Sequence, residues 1–425
     1  MFRILIILTV IIGGFSSFAC AQRSTISGQI VDAQSGEYLI SAHVFTDGLS
    51  VLGTTSNNYG FFSLEVPEGP VQISASFVGY NLWQKLIEVK EDTSFIIALE
   101  PIESFEEISI IGNKSGNRIS TSIHSITPKM IQFLPTLAGE KGIIRLIQLL
   151  PGIQAGAEGT AGLVVRGGSP DQNLYLLDGC PLYNISHLYG FLSVFNEDAI
   201  NSVNVIKGGY PARYGGRLSS VIDIRMKEGN LYKHEGSLSV GLISAKISAN
   251  GPLINGKASY MFSSRRSYFD LFTSIPAWLS NTKTNKHISG YSLADLNGKV
   301  NFILSPKDRI YFSFYYGMDT YSEKRFSEND TVPLFWENHS KLKWGNTLAS
   351  IRWNHTYSKK LFGNTQISWS KYNLISETGY LREEGQKEDW SKVGYQSEYY
   401  SRISEFALAK PLLHGTDELE FQTGG

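Results

Sequence analysis

Few residues in this 425-residue chain stand at spacings that support catalysis. The eight histidines are scattered, with no H-E-x-x-H pair to hold a metal from one helix face. No G-x-S-x-G nucleophile elbow occurs. "GPLINGKA", residues 251–258, nearly matches a phosphate-binding loop. It has Ala258 where a magnesium-holding Ser or Thr belongs, and it joins two strand-like runs, so it is expected to be a hairpin turn. Asp178, in "YLLDGCPLYN", is either a carboxylate for acid–base work or a turn former, and the following Gly179 favours the turn. Arg166, Arg213 and Arg217 could bind an anionic ligand. The alternative is ion pairing in a polar cavity wall, because a buried guanidinium needs a partner. Cys180 has no neighbouring base to activate it and reads as a small buried hydrophobe. No catalytic residue, metal ligand or cofactor is predicted.

The elements that carry these residues are short. A turn cluster (Gly167, Gly168, Ser169, Pro170, Asp171) leads into Leu174-Tyr175-Leu176-Leu177, which is apolar on both alternating faces. Such a strand needs cover on both sides. "SVNVIK" (202–207) and "SVIDIRM" (220–226) are predicted strands, and "GGYPARYGGRLS" between them is almost all turn chemistry. "GEKGIIRLIQLLPG" predicts one helix with Ile143, Ile147 and Leu150 on a common face, stopped by Pro151-Gly152. Residues 117–229 therefore predict a compact α+β unit with long loops.

Composition narrows the class. The net charge of −1 and pI of about 6.7 give no bulk attraction to nucleic acid. Charged residues are only 18% and aromatics 12%, which suits a Tyr- and Phe-rich β protein. Residues 1–21 predict a signal peptide: Arg3, the apolar run from Ile4 to Ile12, then Ala19-Cys20-Ala21. The competing reading keeps Cys20 as a lipid-bearing residue. No run is long and apolar enough for a transmembrane helix, which leaves a β-barrel open.

Two further segments flank the α+β unit. Residues 22–100 alternate on a period of two between turn clusters and predict a small β-sandwich. Residues 101–116 read as a linker holding one β-prone run near Ile108 to Ile111. From 230 to 425 the alternation returns, with Ile310, Phe312 and Phe314 opposed to Tyr311, Ser313 and Tyr315. Short turn candidates at 252–257, 305–309, 357–363 and 413–418 recur about every 53 residues, with long polar stretches near 273–290, 320–342 and 376–397 between them. Short turns alternating with long loops predict an antiparallel outer-membrane barrel.

"LVVRGGSPDQNLYLLDGCPLYN" and "NSVNVIKGGYPARYGGRLSSVIDIRMKEGN" closely resemble the plug domain of TonB-dependent outer-membrane receptors, in the branch common among Bacteroidetes. "GQIVDAQSGEYLISAHV" and "NNYGFFSLEVPEG" resemble the carboxypeptidase regulatory-like domain often placed before such plugs. The carboxypeptidase activity does not follow, since that family's catalytic domain is absent. The resemblance implies a mainly β fold with the plug inside a partial transmembrane β-barrel. Arg166, Gly167, Gly168, Asp178, Gly179, Arg213, Gly215, Gly216 and Arg217 fall on its plug motifs. It implies a TonB box in "EEISIIG", with Glu107, Ile108, Ser109, Ile110 and Ile111 as the candidates. The implied partners are TonB with the inner-membrane ExbB-ExbD motor, outer-membrane lipid, a small-molecule, glycan or peptide ligand, and a surface ligand-capturing lipoprotein. The rival readings are a surface adhesion protein and a ligand-sensing receptor without transport.

A plugged barrel needs about 22 strands, and residues 230–425 supply about eight, so the chain is expected to be incomplete and its sheet open. The stretches at 320–342 and 376–397, holding Trp336, Tyr380, Trp390 and Tyr395, are expected to be ligand-choosing external loops.

Overall fold

The computed structural model describes residues 23–47, 52–102, 123–126, 130–131, 136–137, 140–156, 162–187, 190, 192–280, 285–329, 334–384, 391–414 and 417–424. The segment 1–21, predicted to be a signal peptide, lies outside them. No helix among them is long and apolar enough to cross a membrane, which says nothing about crossing by strands.

The N-terminal unit is two packed sheets. Arg23–Asp32 is the centre of a three-stranded sheet, antiparallel to Phe61–Pro67 and parallel to Thr93–Leu99. Gly53–Thr55, His43–Asp47, Gly69–Ser76 and Trp83–Val89 form an antiparallel four-stranded sheet. Alternation places Ile26, Ile30, Val44, Leu64, Val66, Ile73, Ile97 and Leu99 in one buried core, as a sandwich requires.

The next unit is a five-stranded sheet ordered Cys180–Pro181, Asn173–Leu177, Ser220–Met226, Ile200–Ile206 and Ile123–Ile126. Asn173–Leu177 runs parallel to Ser220–Met226, and the other pairs are antiparallel. Its strands are covered on both faces, as the double-sided apolar run demands. Tyr175, Leu177, Val203, Val205, Ile222 and Ile224 pack with the helix Ile143–Gln148. On the other face Leu176, Ile206 and Val221 pack with Tyr214.

Residues 235–424 form one nine-stranded antiparallel sheet in chain order, where turn spacing suggested about eight strands. Its first and last strands, Glu235–Val240 and Asp417–Gly424, do not pair with each other, so the sheet is open among the described residues. The turns expected at "PLINGK" and "SPKDR" are hairpin turns. Register aligns Tyr260, Val300, Phe312, Ile351 and Ile367 in one row across five strands. Phe312, Ile351 and Ile367 of this row are exposed, together with Phe262 and Phe314. This is the outward apolar band of a lipid-facing wall. The alternate positions, among them Asp295, Asn297, Lys299, Tyr311 and Tyr315, are buried against the plug.

One expectation is corrected here. The stretches 320–342 and 376–397 are mostly strand, not loop. Asp308–Asn329, Leu334–Thr356, Leu361–Glu384 and Ser391–His414 run for 22 to 24 residues, whereas about 9–11 suffice to cross a membrane. The extra length forms arms beyond the apolar band. Both faces of an arm meet water, so its sequence is polar and looks like loop, yet ladder hydrogen bonds continue. Exposed pairs such as Lys324–Glu337 at 2.9 Å and Lys341–Glu377 at 3.9 Å decorate them, each worth at most about 1 kcal/mol. Trp336 is on such a strand, Tyr380 and Tyr395 are register partners, and Trp390 lies outside the described residues.

Gly229 joins plug to barrel at φ +87°. A Cβ there would be driven into the Tyr260 carbonyl of the barrel wall. Gly229→Ala is therefore expected to destabilise the protein by about 1–3 kcal/mol through backbone strain alone, seen as a lower urea midpoint of the purified chain.

Candidate functional site

Two buried charge clusters lie between the five-stranded unit and the barrel wall. The first is built on the turn that ends Asn173–Leu177. Asp178 and Gly179 take φ +49° and +80°, so the turn-forming reading of Asp-Gly holds, and the carboxylate has a second task. Its Oδ1 accepts the Met226 N–H at 3.0 Å, and its Oδ2 accepts the Ser313 hydroxyl at 2.7 Å and lies 3.0 Å from Lys299 Nζ. Gln366 Nε2 donates to the Asp178 carbonyl at 2.8 Å. Burial alone would raise the Asp178 pKa. The cations Lys299, Arg352 and Arg225, with the Ser313 hydroxyl, outweigh it and hold it down at about 2. Cys180 is buried beside this turn, and burial pushes its thiol up to about 12, so it is inert as expected.

Three buried arginines lie around this turn. Arg225 pairs with Asp223 at 2.9 Å, and Arg309 reaches Glu228 at 3.0 Å. Arg352 is 3.9 Å from Glu228 and lies 4.3 Å over the Tyr311 ring. Aromatic faces thus supplement the carboxylates in shielding cations removed from water.

The second cluster holds the plug segment Ser186–His187. His187 Nδ1 is 2.6 Å from Asp319 and Nε2 is 2.8 Å from Asp295, with the ring buried between two neighbouring barrel strands. Burial pulls its pKa down, but the two carboxylates more than offset this and raise it to about 9. Arg265 binds the other oxygen of Asp295 and donates to the Ser193 carbonyl at 2.7 Å and to Glu140 at 3.1 Å. Lys246 bridges the plug's Glu140 and Glu197 at 3.3 and 2.7 Å. Every one of these links joins plug to wall or braces one that does.

A model of the TonB-dependent receptor plug domain matches residues 117–221, which contain the five-stranded sheet up to its central strand. The chain carries the plug domain of the TonB-dependent receptors. A carboxypeptidase regulatory-like domain model matches residues 26–109, over the sandwich. The chain is 24% identical over 300 residues to TonB-dependent receptor P3 of Formosa agariphila, covering 67% of this chain and 29% of that protein. It thus spans less than a third of that relative. Among solved structures it is similar to the RagAB peptide importer in its closed-closed state, at 10% identity, TM-score 0.44, covering 72% of this chain and 55% of that one. It is also similar to the siderophore receptor PirA of Acinetobacter baumannii, at 13% identity, TM-score 0.36, covering 70% and 60%. TonB-dependent receptors are outer-membrane proteins and not enzymes.

The receptor's predicted motif residues do not form one site. Arg166 (φ +50°), Gly167 (φ +81°) and Gly168 make the turn before Asn173–Leu177, with Arg166 and Gly167 exposed. Arg213 lies half-buried 4.7 Å over the Tyr214 ring. Gly215, Gly216 and Arg217 are exposed, and Arg217 donates to the Gly216 carbonyl at 2.8 Å. Ion pairing was the favoured reading of the three arginines. Arg166 and Arg217 instead meet solvent without an ion pair among the described residues, because both stand in surface turns. The buried arginines that pair, among the described residues, are Arg225, Arg265, Arg309 and Arg352. Their signal was available in "LADLNGKVNF" and its neighbours, where charged or polar residues fill every second position of a strand whose other face is apolar. Glu107, Ile108, Ser109, Ile110 and Ile111 lie outside the described residues.

Proposed function

We propose that this receptor binds an extracellular ligand and imports it with energy relayed from the inner membrane through TonB and the ExbB-ExbD motor. The observation that carries the reading is how the plug is held. Its apolar core closes mostly on itself, taking in Met261, Tyr315 and Leu348 of the wall, while the charged part of its grip on the wall is a few buried links that can be exchanged for water. Breaking one buried pair costs about 3–5 kcal/mol. One charge crossing about 100 mV supplies about 2.3 kcal/mol, so roughly three or four charges match the breaking of two such pairs.

The division into 22–100, 101–116, 117–229 and 230–425 is part of this reading, as is the assignment of the arms to the cell exterior. A ligand-capturing surface lipoprotein is the further partner it admits, to be sought by co-purification with the receptor.

Coupling is assigned to Glu107 through Ile111, as an extended segment that adds a strand to TonB. Proline cannot donate to a strand ladder. Ile110→Pro is therefore expected to abolish energy-dependent uptake across a panel of sugars, peptides and metal chelates, with surface binding and receptor abundance near normal. The regulatory-like match reaches residue 109, which favours a second reading in which this run is the sandwich's last strand. The same substitution would then lower abundance together with uptake, and normal uptake at normal abundance would defeat both.

A further inference from the structure

The plug's seating uses residues the regulatory-like domain does not share, yet that domain is itself docked against the same end of the barrel. Three of its turns make the contact. In the first, Glu37 Oε1 accepts the backbone N–H groups of Glu228 and Gly229 at 2.5 and 2.9 Å, at the plug-to-barrel joint. The Ser35 carbonyl accepts the Leu231 N–H at 2.9 Å. Arg309, just after the 305–308 turn, lies 4.3 Å over the Tyr38 ring. In the second, Tyr59 and Phe61 stack on Phe362 of the wall at 5.6 and 5.2 Å between ring centres. Tyr59 also lies 5.6 Å from Arg225 of the plug and 5.5 Å from Arg352 of the wall. In the third, the Asp92 carbonyl accepts Lys359 Nζ.

Phe362, Lys359, Arg309 and Leu231 all belong to the short-turn end of the barrel, the end from which the plug chain emerges into the wall. Phe61 and Phe362 are 2% and 1% exposed, and Tyr38 is 7% exposed. Buried stacked rings, a guanidinium on a ring and a carboxylate capping two amides are the features of a specific interface rather than a tether. They also complete the cluster around Glu228. Undocking would strip Tyr38 from Arg309 and Tyr59 from Arg352, leaving each with Tyr311 of the wall as its ring partner.

We infer that the N-terminal sandwich is a stopper docked on the short-turn mouth of the barrel beneath the plug, and that it must leave before the plug can move. The inference rests on the import reading above.

A lock tests it. A Cβ placed on Gly36 falls 3.5 Å from Leu231 Cβ, within the range that a disulfide spans. Gly36→Cys with Leu231→Cys, expressed in cells with the receptor's own TonB system, should cross-link in the oxidising periplasm. Gly36 has φ +75°, so each single cysteine variant is carried as a control for strain. Plug movement is read on Cys180, which is 2% exposed when the plug is seated, by labelling with a membrane-impermeant maleimide and peptide mass spectrometry.

In the parent and both single variants, labelling of Cys180 should rise in energised cells and fall with a protonophore. In the oxidised double variant it should stay at the protonophore level, and reductant should restore it. A locked receptor that labels as fully as its parent overturns the stopper. So does failure of the pair to cross-link while the single variants fold. If the parent itself shows no energy-dependent labelling, the import reading fails first and the stopper with it.

Discussion

Asp178→Ala is expected to destabilise the seated plug by about 3–5 kcal/mol, because it leaves Lys299 as a buried cation without its carboxylate. Loss of the hydrogen bonds from Met226 N–H and Ser313 adds a smaller amount, about 1–3 kcal/mol for a buried donor left unmet. The charge is the larger effect, and a comparison separates it from the turn. Asn tolerates the positive φ that Asp178 adopts, so Asp178→Asn keeps the turn and removes the charge. It should retain most of the loss. Adding Lys299→Met to Asp178→Asn should recover much of it, since a neutral pair leaves no stranded ion. The check is urea unfolding of the purified receptor, with tryptophan fluorescence as the signal. Equal midpoints for wild type and Asp178→Asn would show that the pair does not hold the plug. The pH sign follows from a pKa lowered to about 2. The contribution is fully present above the ordinary Asp value of about 3.9 and is lost as pH falls through about 2.

His187→Gln is expected to remove about 3 kcal/mol at neutral pH and to change how stability responds to alkali. The ring is faced by Asp295 and Asp319 from two wall strands, with Arg265 on the far oxygen of Asp295. The hydroxyls of Tyr315 and Tyr291 donate to Asp295 and Asp319, and Glu140 lies behind Arg265. Charged His187 balances the two carboxylates, which is why its pKa rises to about 9. Its contribution is therefore fully present below about 6.5, the unfolded value, and is lost as pH rises through about 9. Wild-type receptor should lose stability between pH 7 and 10, and the Gln variant should be lower but flat over that window. Parallel pH curves for the two proteins would remove His187 from the grip on the wall.

Much of this molecule is local and was legible as such. "SVIDIRM" is a strand over its whole length, from Ser220 to Met226. "PLINGK" and "SPKDR" are hairpin turns. Asp-Gly at 178–179 is a turn with both residues at positive φ. Each follows from period-two alternation or turn chemistry within a few residues, where the backbone preference of each residue acts directly. The order of plug motifs also pointed to the family before any contact was visible.

The charge partners were not legible, for a physical reason. Asp178 meets Lys299 across 121 positions, and His187 meets Asp295 and Asp319 across 108 and 132. Nothing local to Asp178 distinguishes a solvated turn aspartate from a buried ion-pair partner, because burial is supplied by strands that pair much later in the chain. The same holds for the arginines. Arg166 and Arg217 stand in conspicuous glycine turns and meet water, while Arg225 and Arg265 stand mid-strand and are buried. The arms over 320–342 and 376–397 failed for the complementary reason: a strand wetted on both faces carries no apolar period, so only its neighbours' ladder reveals it. Alternation determined that there would be a wall with two faces; which face met lipid, which charges met the plug, and that the sandwich's tyrosines would cover the arginines at its mouth were decided by tertiary packing alone.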